Sequence, residues 1–466
     1  MKLKNNQHMA TLKENMVSSV QHNWYTWLYI CLLTITLFFR ISPLHEPKVN
    51  IIYILPMACS AFVLALYINR QHLLRGQKVL ILLMIWLAFS CVLNGDIYLQ
   101  QNRTFLLTMF ISMVMGYSVV GLCSSNNRNK AFHAVSIAYI ILIAILSVLS
   151  IYSALGDQPI FTPFSNQPIY INPADARLAV FGYHSNEVGC FTLIASYLCI
   201  YFFFKTNKLW IKLCNGILAL MFIIVIMLTG SRTALLLYVI GIGCAFIVMI
   251  LNRMNPKDQK AIIKKTIIAV LIACVVVAMI AALYTPAVNL FASLTNKIAQ
   301  NDDVAIGEAN AVTIPRARSF QLKDFLSMGA RTPIWKAAFE YLQSNPKTLL
   351  IGVPENVVST IAYEAIYHTA PHMHNSMIQI LLLAGIPGLC MILFFLFIVL
   401  RASVRLFFAS RAAKHLRFLA FIPVLLLLNN FTEIFPMLSG DIMDMMFFVI
   451  CAAVVGFEHD LKANQP

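Results

Sequence analysis

The stretch from His372 to Leu400 reads HMHNSMIQILLLAGIPGLCMILFFLFIVL. From Ser376 onward it holds 25 residues without a charged side chain. As a helix rising about 1.5 Å per residue, that run crosses about 30 Å of hydrocarbon. It lacks the two-residue alternation of a barrel strand. The remainder of the chain agrees with it: of 466 residues, 60% are hydrophobic and 11% charged, with a mean hydropathy of +0.77. Soluble domains keep their apolar share near half, so this composition places the chain in a membrane.

Twelve apolar runs fall near Trp24–Phe39, Val49–Ile68, Lys78–Leu93, Thr104–Cys123, Ala131–Ser153, Val188–Phe204, Trp210–Leu228, Thr233–Leu251, Thr266–Tyr284, Ser376–Leu400, Leu416–Phe435 and Ile442–Phe457. The expected fold class is an all-α integral membrane protein of about 12 transmembrane helices. The N-terminal segment carries Lys2, Lys4 and Lys13 without a small-residue cleavage site, so the first run is expected to remain as an anchor.

Orientation follows the bias of Lys and Arg toward cytoplasmic loops. With the N-terminus inside, the tail and the even-numbered turns hold 22 of the 34 basic residues, and the short outer loops five. Seven more lie in the 91-residue outer segment Thr285–Asn375, long enough to cross regardless of charge. The net charge of +15 is therefore accounted for by snorkelling and lipid-headgroup contact and is no argument for nucleic acid. All eleven Cys lie in or beside apolar runs, which excludes a disulfide framework in the long loop.

The chain divides into residues 1–284, nine spans with an outer loop at 154–187; residues 285–375, one large extracytoplasmic loop; and residues 376–466, three spans and a cytoplasmic tail. The 154–187 loop, rich in Pro, Asn and aromatic residues, is expected to be ordered but non-helical. The large loop contains an amphipathic helix candidate, RTPIWKAAFEYLQSNP, with Thr332 as N-cap and Pro333 at the first helical position. Ile334, Ala337, Ala338, Tyr341 and Leu342 share one face, which should pack on the membrane domain.

Candidate site residues all fall on the outer side. Arg232, in the tight turn Gly230-Ser231-Arg232-Thr233, sits where the charge bias disfavours it. It is either a snorkelling cation or an anion-binding guanidinium beside a helix N-terminus. Arg331 opens the loop helix, and two arginines on one membrane face could grip a diphosphate through paired contacts. Arg177, Arg316 and Arg318 are weaker candidates of the same kind. His372 and His374 precede Asn375 and Ser376, either of which could cap the next helix. A histidine at that positive helix end is pushed toward the neutral imidazole a general base requires. Two histidines spaced i, i+2 also admit a metal, but no third ligand lies nearby in sequence. Gly385 and Gly388 flank Pro387 and read as close helix packing with a kink. Asn429, Asn430, Glu433, Asp441 and Asp444 place a polar cluster toward the outer surface, where Glu433 would meet an acceptor.

His374-Asn375, then nine residues, Gly385, two residues and Gly388 resembles the H-N-x9-G-x-x-G signature of the O-antigen ligase and polymerase superfamily of bacterial membrane glycosyltransferases. Gly-Ser-Arg-Thr at 230–233 and Ala-Arg-Thr-Pro-Ile-Trp-Lys at 330–336 resemble that family in the same order, so the motifs span 229–388. The resemblance implies transfer of a glycan from undecaprenyl diphosphate to an acceptor hydroxyl on the outer (periplasmic) face of the bacterial inner membrane. It implies no cofactor, no metal and inversion at the anomeric centre. Carried over by motif, His374 is the base and Arg232 and Arg331 hold the leaving diphosphate. From the reading of the residues themselves, Arg177, His372, Asn375, Arg316, Arg318 and Glu433 are expected around the substrate. The implied partners are the lipid-linked donor, a lipid A–core or growing-glycan acceptor and the bilayer.

The paired histidines and the Gly-Ala-Arg start of the loop helix favour a ligase, attaching polysaccharide to lipid A–core. A repeat-unit polymerase is the alternative. A secondary transporter would place ionisable residues or broken helices at the bilayer midplane, whereas the span centres here lack acidic residues. A purely structural assembly protein is the remaining class.

Overall fold

A computed structural model describes, with short internal gaps, residues 24–36, 55–68, 73–156, 160–180, 184–251, 268, 271, 331–365 and 372–463. The helices are α1 (Trp24–Thr36), α2 (Leu55–Ile68), α3 (Gln77–Leu93), α4 (residues 96–121), α5 (Ser125–Gly156), α6 (Ser185–Lys205), α7 (Leu209–Thr229) and α8 (Arg232–Leu251). There follow α9 (Arg331–Ser344), α10 (Thr348–Ile351), α11 (Glu355–Ala365), α12 (Ser376–Phe408), α13 (Lys414–Asn429) and α14 (Ile442–Ala463). Helix α4 is continuous through a π-helical turn at Phe110–Met115.

Eleven of the twelve apolar runs coincide with described helices, and of the run Thr266–Tyr284 only Ile268 and Leu271 are described, both helical. Among the described residues, seven helices are long and apolar enough to cross a membrane, while α1, α2 and α3 are shorter. Their arrangement follows from which faces are apolar. Helix α14 is apolar around most of its circumference and is enclosed from Ile442 to Glu458, packed against α4, α12, α13 and α5. A helix hydrophobic on all sides belongs at the centre of a bundle. Helix α7 instead turns Leu209, Trp210, Leu213, Ile217 and Leu220 outward, as a lipid-facing helix does.

The described residues are mostly helical, as expected of an all-α membrane protein, and three details differ from expectation. First, a small sheet is added to the helices. The outer loop at 154–187 holds an antiparallel sheet ordered β1 (Ile160–Thr162), β2 (Ser165–Asn172), β3 (Arg177–Ala179), with Tyr170 opposite Ala179 and Asn172 opposite Arg177. Leu178, Ala179 and Val180 are buried, and β3 packs on α6 and α7. Ile169 and Ile171, β-branched and alternating, favour the strand. Second, α9 starts at Arg331 itself, one turn-forming step before the expected Thr332 cap. Its apolar face is otherwise as patterned: Ile334, Ala338 and Leu342 are buried, Lys336, Glu340 and Gln343 exposed, and the helix lies against α11 and α12. Third, α12 continues to Phe408, and its 33 residues exceed what the hydrocarbon needs, so Arg401 and Arg405 emerge beyond it.

Candidate active site

The site is built where α12 begins. Asn375 is its N-cap: its side-chain oxygen accepts from the Met377 and Ile378 N–H groups (2.9 and 3.1 Å), while its Nδ2 donates to the Phe431 carbonyl (3.2 Å). One residue earlier, His374 has φ 49°, the one left-handed non-glycine backbone among the described residues. Such a conformation costs an L-residue roughly 1–2 kcal/mol and persists only where neighbours enforce it. Here they do. The His374 N–H donates to His372 Nδ1 (3.3 Å), the Met373 N–H to Gln379 Oε1 (3.1 Å), and the Met373 carbonyl accepts from Trp335 Nε1 (2.8 Å).

Trp335 stands four residues after Arg331 on α9, so both reach the same side of that helix. One anchors the backbone beside His374. The other, through Nη2, donates to Glu433 Oε1 (3.0 Å). Glu433 Oε2 accepts from His374 Nδ1 (2.7 Å), and Oε1 also accepts from Asn186 Nδ2 (2.9 Å) at the start of α6. The carboxylate side chain is 3% exposed, against 21% for His374 and 27% for Arg331. It therefore lies beneath the two groups that face outward.

The electrostatics follow from that burial. Desolvation alone would push the Glu433 carboxyl up, but the His374 hydrogen bond and the charges of His374, Arg331 and His372 outweigh it and hold it at about 2. His372 is driven down to about 3, chiefly by burial and then by His374. The neutral imidazole anticipated from a helix end is thus produced at His372 mainly by desolvation. A carboxylate can only accept, so the proton it shares with a neutral His374 sits on Nδ1 and leaves Nε2 as the lone-pair nitrogen.

Around this cluster, the loop after α13 wraps the start of α12. Ser376 N–H donates to the Asn430 carbonyl (2.9 Å), and its hydroxyl to Asn430 Oδ1 (2.6 Å). Asn429, Asn430, Glu433 and Asp444, expected as a polar outer surface, are all buried and serve as internal scaffold. Asp441 lies outside the described residues.

Nine residues into α12 the helix breaks. Gly385 has φ 63°, ψ −167°, and Pro387 has no N–H to return. The carbonyls left around the break each find a donor: Leu382 accepts from Val353 N–H (2.7 Å), Leu383 from Ser90 Oγ (3.3 Å) and Ala384 from Trp86 Nε1 (2.7 Å). Gly352 (φ 75°) lies directly on the Leu383 backbone, where a Cβ would collide. Glycine here permits two backbones to touch, and the α10–α11 connection is locked to α12 and α3.

Residues 217–393 match the family described as O-antigen ligase. This segment, somewhat over a third of the chain, is similar to the O-antigen ligase family. The family match supports a ligase- or polymerase-type function, and comparison with curated proteins finds no match. Within the O-antigen ligase segment lie Arg232, Arg331, His372, His374, Asn375, Gly385 and Gly388. Glu433 and Asn186, which complete the cluster, lie outside it.

Arg331, His372, His374 and Glu433 are brought together. Arg232 is the first residue of α8 and half-buried. Its neighbour Ser231 abuts Gly189, three residues along α6 from Asn186, so the turn stands at the same end of the bundle as the cluster. Arg177 opens β3, and Arg316 and Arg318 lie outside the described residues. Glu433, expected to meet substrate, is enclosed, and the side-chain amide of Asn375 is committed to capping on one end and to Phe431 on the other. The missed contributors are Asn186, Trp335 and Gln379. The sequence signals for them are slight: a His184-Ser-Asn-Glu187 capping box opening α6, and the i, i+4 spacing of Arg331 and Trp335.

The expectation that no third metal ligand lies near the histidines is also corrected. His372, His374 and Glu433 each offer a ligand atom within 4.8 Å of the others, a set that could hold a metal ion. The direct His374–Glu433 contact and the Arg331 guanidinium on the same carboxylate already occupy it as a proton-sharing and ion-paired group.

Proposed function

We propose that this protein is a membrane glycosyltransferase that moves a glycan from undecaprenyl diphosphate to an acceptor hydroxyl, and that the acceptor is lipid A–core, making it an O-antigen ligase. The observation that carries this is the buried Glu433 carboxylate holding His374 Nδ1 at 2.7 Å and Arg331 at 3.0 Å. His374 Nε2 takes the proton of the acceptor hydroxyl as its oxygen attacks the anomeric carbon. The bond from that carbon to the diphosphate breaks on the opposite face, inverting the centre. Negative charge grows on the departing diphosphate, and the Arg331 donors not spent on Glu433, with Arg232, stabilise it most in the transition state. Glu433 touches no substrate. It is a positioning residue that fixes the tautomer of His374 and offsets the charge of the imidazolium, as the carboxylate of a hydrolytic triad does. No metal takes part, and the site faces the periplasm.

Purified protein in proteoliposomes, given a lipid-diphosphate glycan with lipid A–core, should yield glycosylated core and free undecaprenyl diphosphate. Elongation of the donor with the core left unmodified would replace the ligase reading with the polymerase one. No transfer to either acceptor by folded protein would refute both.

A further inference from the structure

At the far end of α12 a second site stands apart from the His374 cluster. Arg401 is 25 residues beyond Ser376, roughly 37 Å along the helix, at the opposite membrane face. There α3, α12 and α14 enclose a cavity of about 510 Å³, within the roughly 300–1,000 Å³ range of small-molecule sites. Arg75, Arg401 and Arg405 line it together with Phe394 and Phe397, which stand two turns and one turn before Arg401 on the same stripe of α12. Both phenylalanines are more than half exposed, so the cavity opens along a strip of lipid-facing aromatic surface.

The charge of this cavity is not balanced from within. Its one carboxylate, Glu458, is engaged by Arg405 (3.5 Å) and by Lys462. Among the described residues neither Arg75 nor Arg401 has a carboxylate partner. The backbone under Arg75 is fixed, since its carbonyl accepts from the buried Tyr117 hydroxyl. Guanidinium groups beside an apolar wall at a membrane surface match one chemistry: a phosphate diester carrying hydrocarbon chains.

We propose that this cavity binds an anionic phospholipid, with its phosphate on Arg75 and Arg401 and its acyl chains along Phe394 and Phe397. A neighbouring basic cavity, lined by Lys205, Lys212 and Lys414, is the natural comparison. There Lys205 is already spent on His133 and Asn129, and Lys212 lies over the Phe203 ring. The site does not depend on the transfer chemistry, so either can fail without the other.

The test is native mass spectrometry of the full chain in detergent, titrated separately with phosphatidylglycerol, phosphatidylethanolamine and water-soluble glycerophosphate. Phosphatidylglycerol should be retained in preference to the zwitterionic lipid, and glycerophosphate should not displace it. Arg75→Gln with Arg401→Gln should lower retention roughly thirtyfold, the effect of two basic side chains near an anionic headgroup. Arg75→Lys with Arg401→Lys keeps the charge and guards against misfolding; it should retain much of the binding. Lys212→Gln with Lys414→Gln should leave retention unchanged. Equal retention of both lipids, displacement by glycerophosphate, or loss from the lysine pair instead of the arginine pair would overturn the assignment.

Discussion

Glu433→Gln isolates the role of the buried carboxylate because it preserves shape and removes only charge and one acceptor. In the native site Oε2 serves His374 and Oε1 serves Arg331 and Asn186. A glutamine has one acceptor oxygen. If that oxygen faces Arg331, the amide N–H₂ meets Nδ1–H of His374, and the ring must move its proton to Nε2 and lose its base. If the oxygen faces His374, the amide opposes the guanidinium and Arg331 is released. Either outcome disables one of the two outward groups, so transfer should fall by the roughly 10²–10⁴-fold typical of lost general-base catalysis, about 3–5 kcal/mol of barrier. The stability cost is smaller, about 1–3 kcal/mol, because His374 and Arg331 each keep some access to solvent. It also depends on pH. The folded carboxyl is held at about 2, below its usual 4.5, so its contribution is complete above 4.5 and fades as pH falls toward 2. The melting-temperature gap between wild type and variant should be full at pH 7 and shrink below pH 4.5. A folded Glu433→Gln enzyme that keeps a third or more of its proteoliposome rate would refute the positioning role.

His374→Ala should lose roughly 10²–10⁴-fold in transfer while still binding the lipid-linked donor, and His372→Ala should lose far less; the reverse order of rates would reassign the base. Arg232→Lys and Arg331→Lys should each be severely impaired with folding intact, since an ammonium cannot make paired phosphate contacts; near-normal transfer in both would return them to surface charges. Gly352→Ala should destabilise by about 3 kcal/mol or more, measured by thermal unfolding in detergent, because φ 75° strains any Cβ and the Leu383 backbone blocks it. A chelator should leave transfer unchanged, whereas added Zn²⁺ should inhibit by capturing His372, His374 and Glu433; activity abolished by chelation and restored by metal would refute the metal-free mechanism.

The membrane helices were legible because a long apolar run has one physical solution; Arg232 stood out as a charge in a short turn where the bias disfavours one, and Arg331 and His374 through the helix starts beside them and the motifs they share with the family. Glu433 was visible only as a polar residue. Its contact with His374 spans 59 positions, and no local periodicity encodes that separation. The sheet at 160–179 was hidden because β1 and β3 hold only three residues each and Pro168 interrupts the pattern of β2. Helix α10, with four residues, is too brief for a 3.6-residue period to be counted. The glycines after the histidines showed that a kink was coming but not which donors would meet it, because Trp86, Ser90 and Val353 belong to distant segments.

Those donors bear on how such enzymes can be re-engineered. The break at Gly385 is closed by one backbone group from the α10–α11 connection and two side chains from α3. A chimera that grafts residues 331–365 from another enzyme to alter acceptor choice would leave Val353, Gly352 and their α12 contacts mismatched, with a carbonyl stranded at bilayer depth. The exchangeable unit is therefore discontinuous: the loop helices, the first half of α12, and the Trp86–Ser90 turn of α3 must travel together.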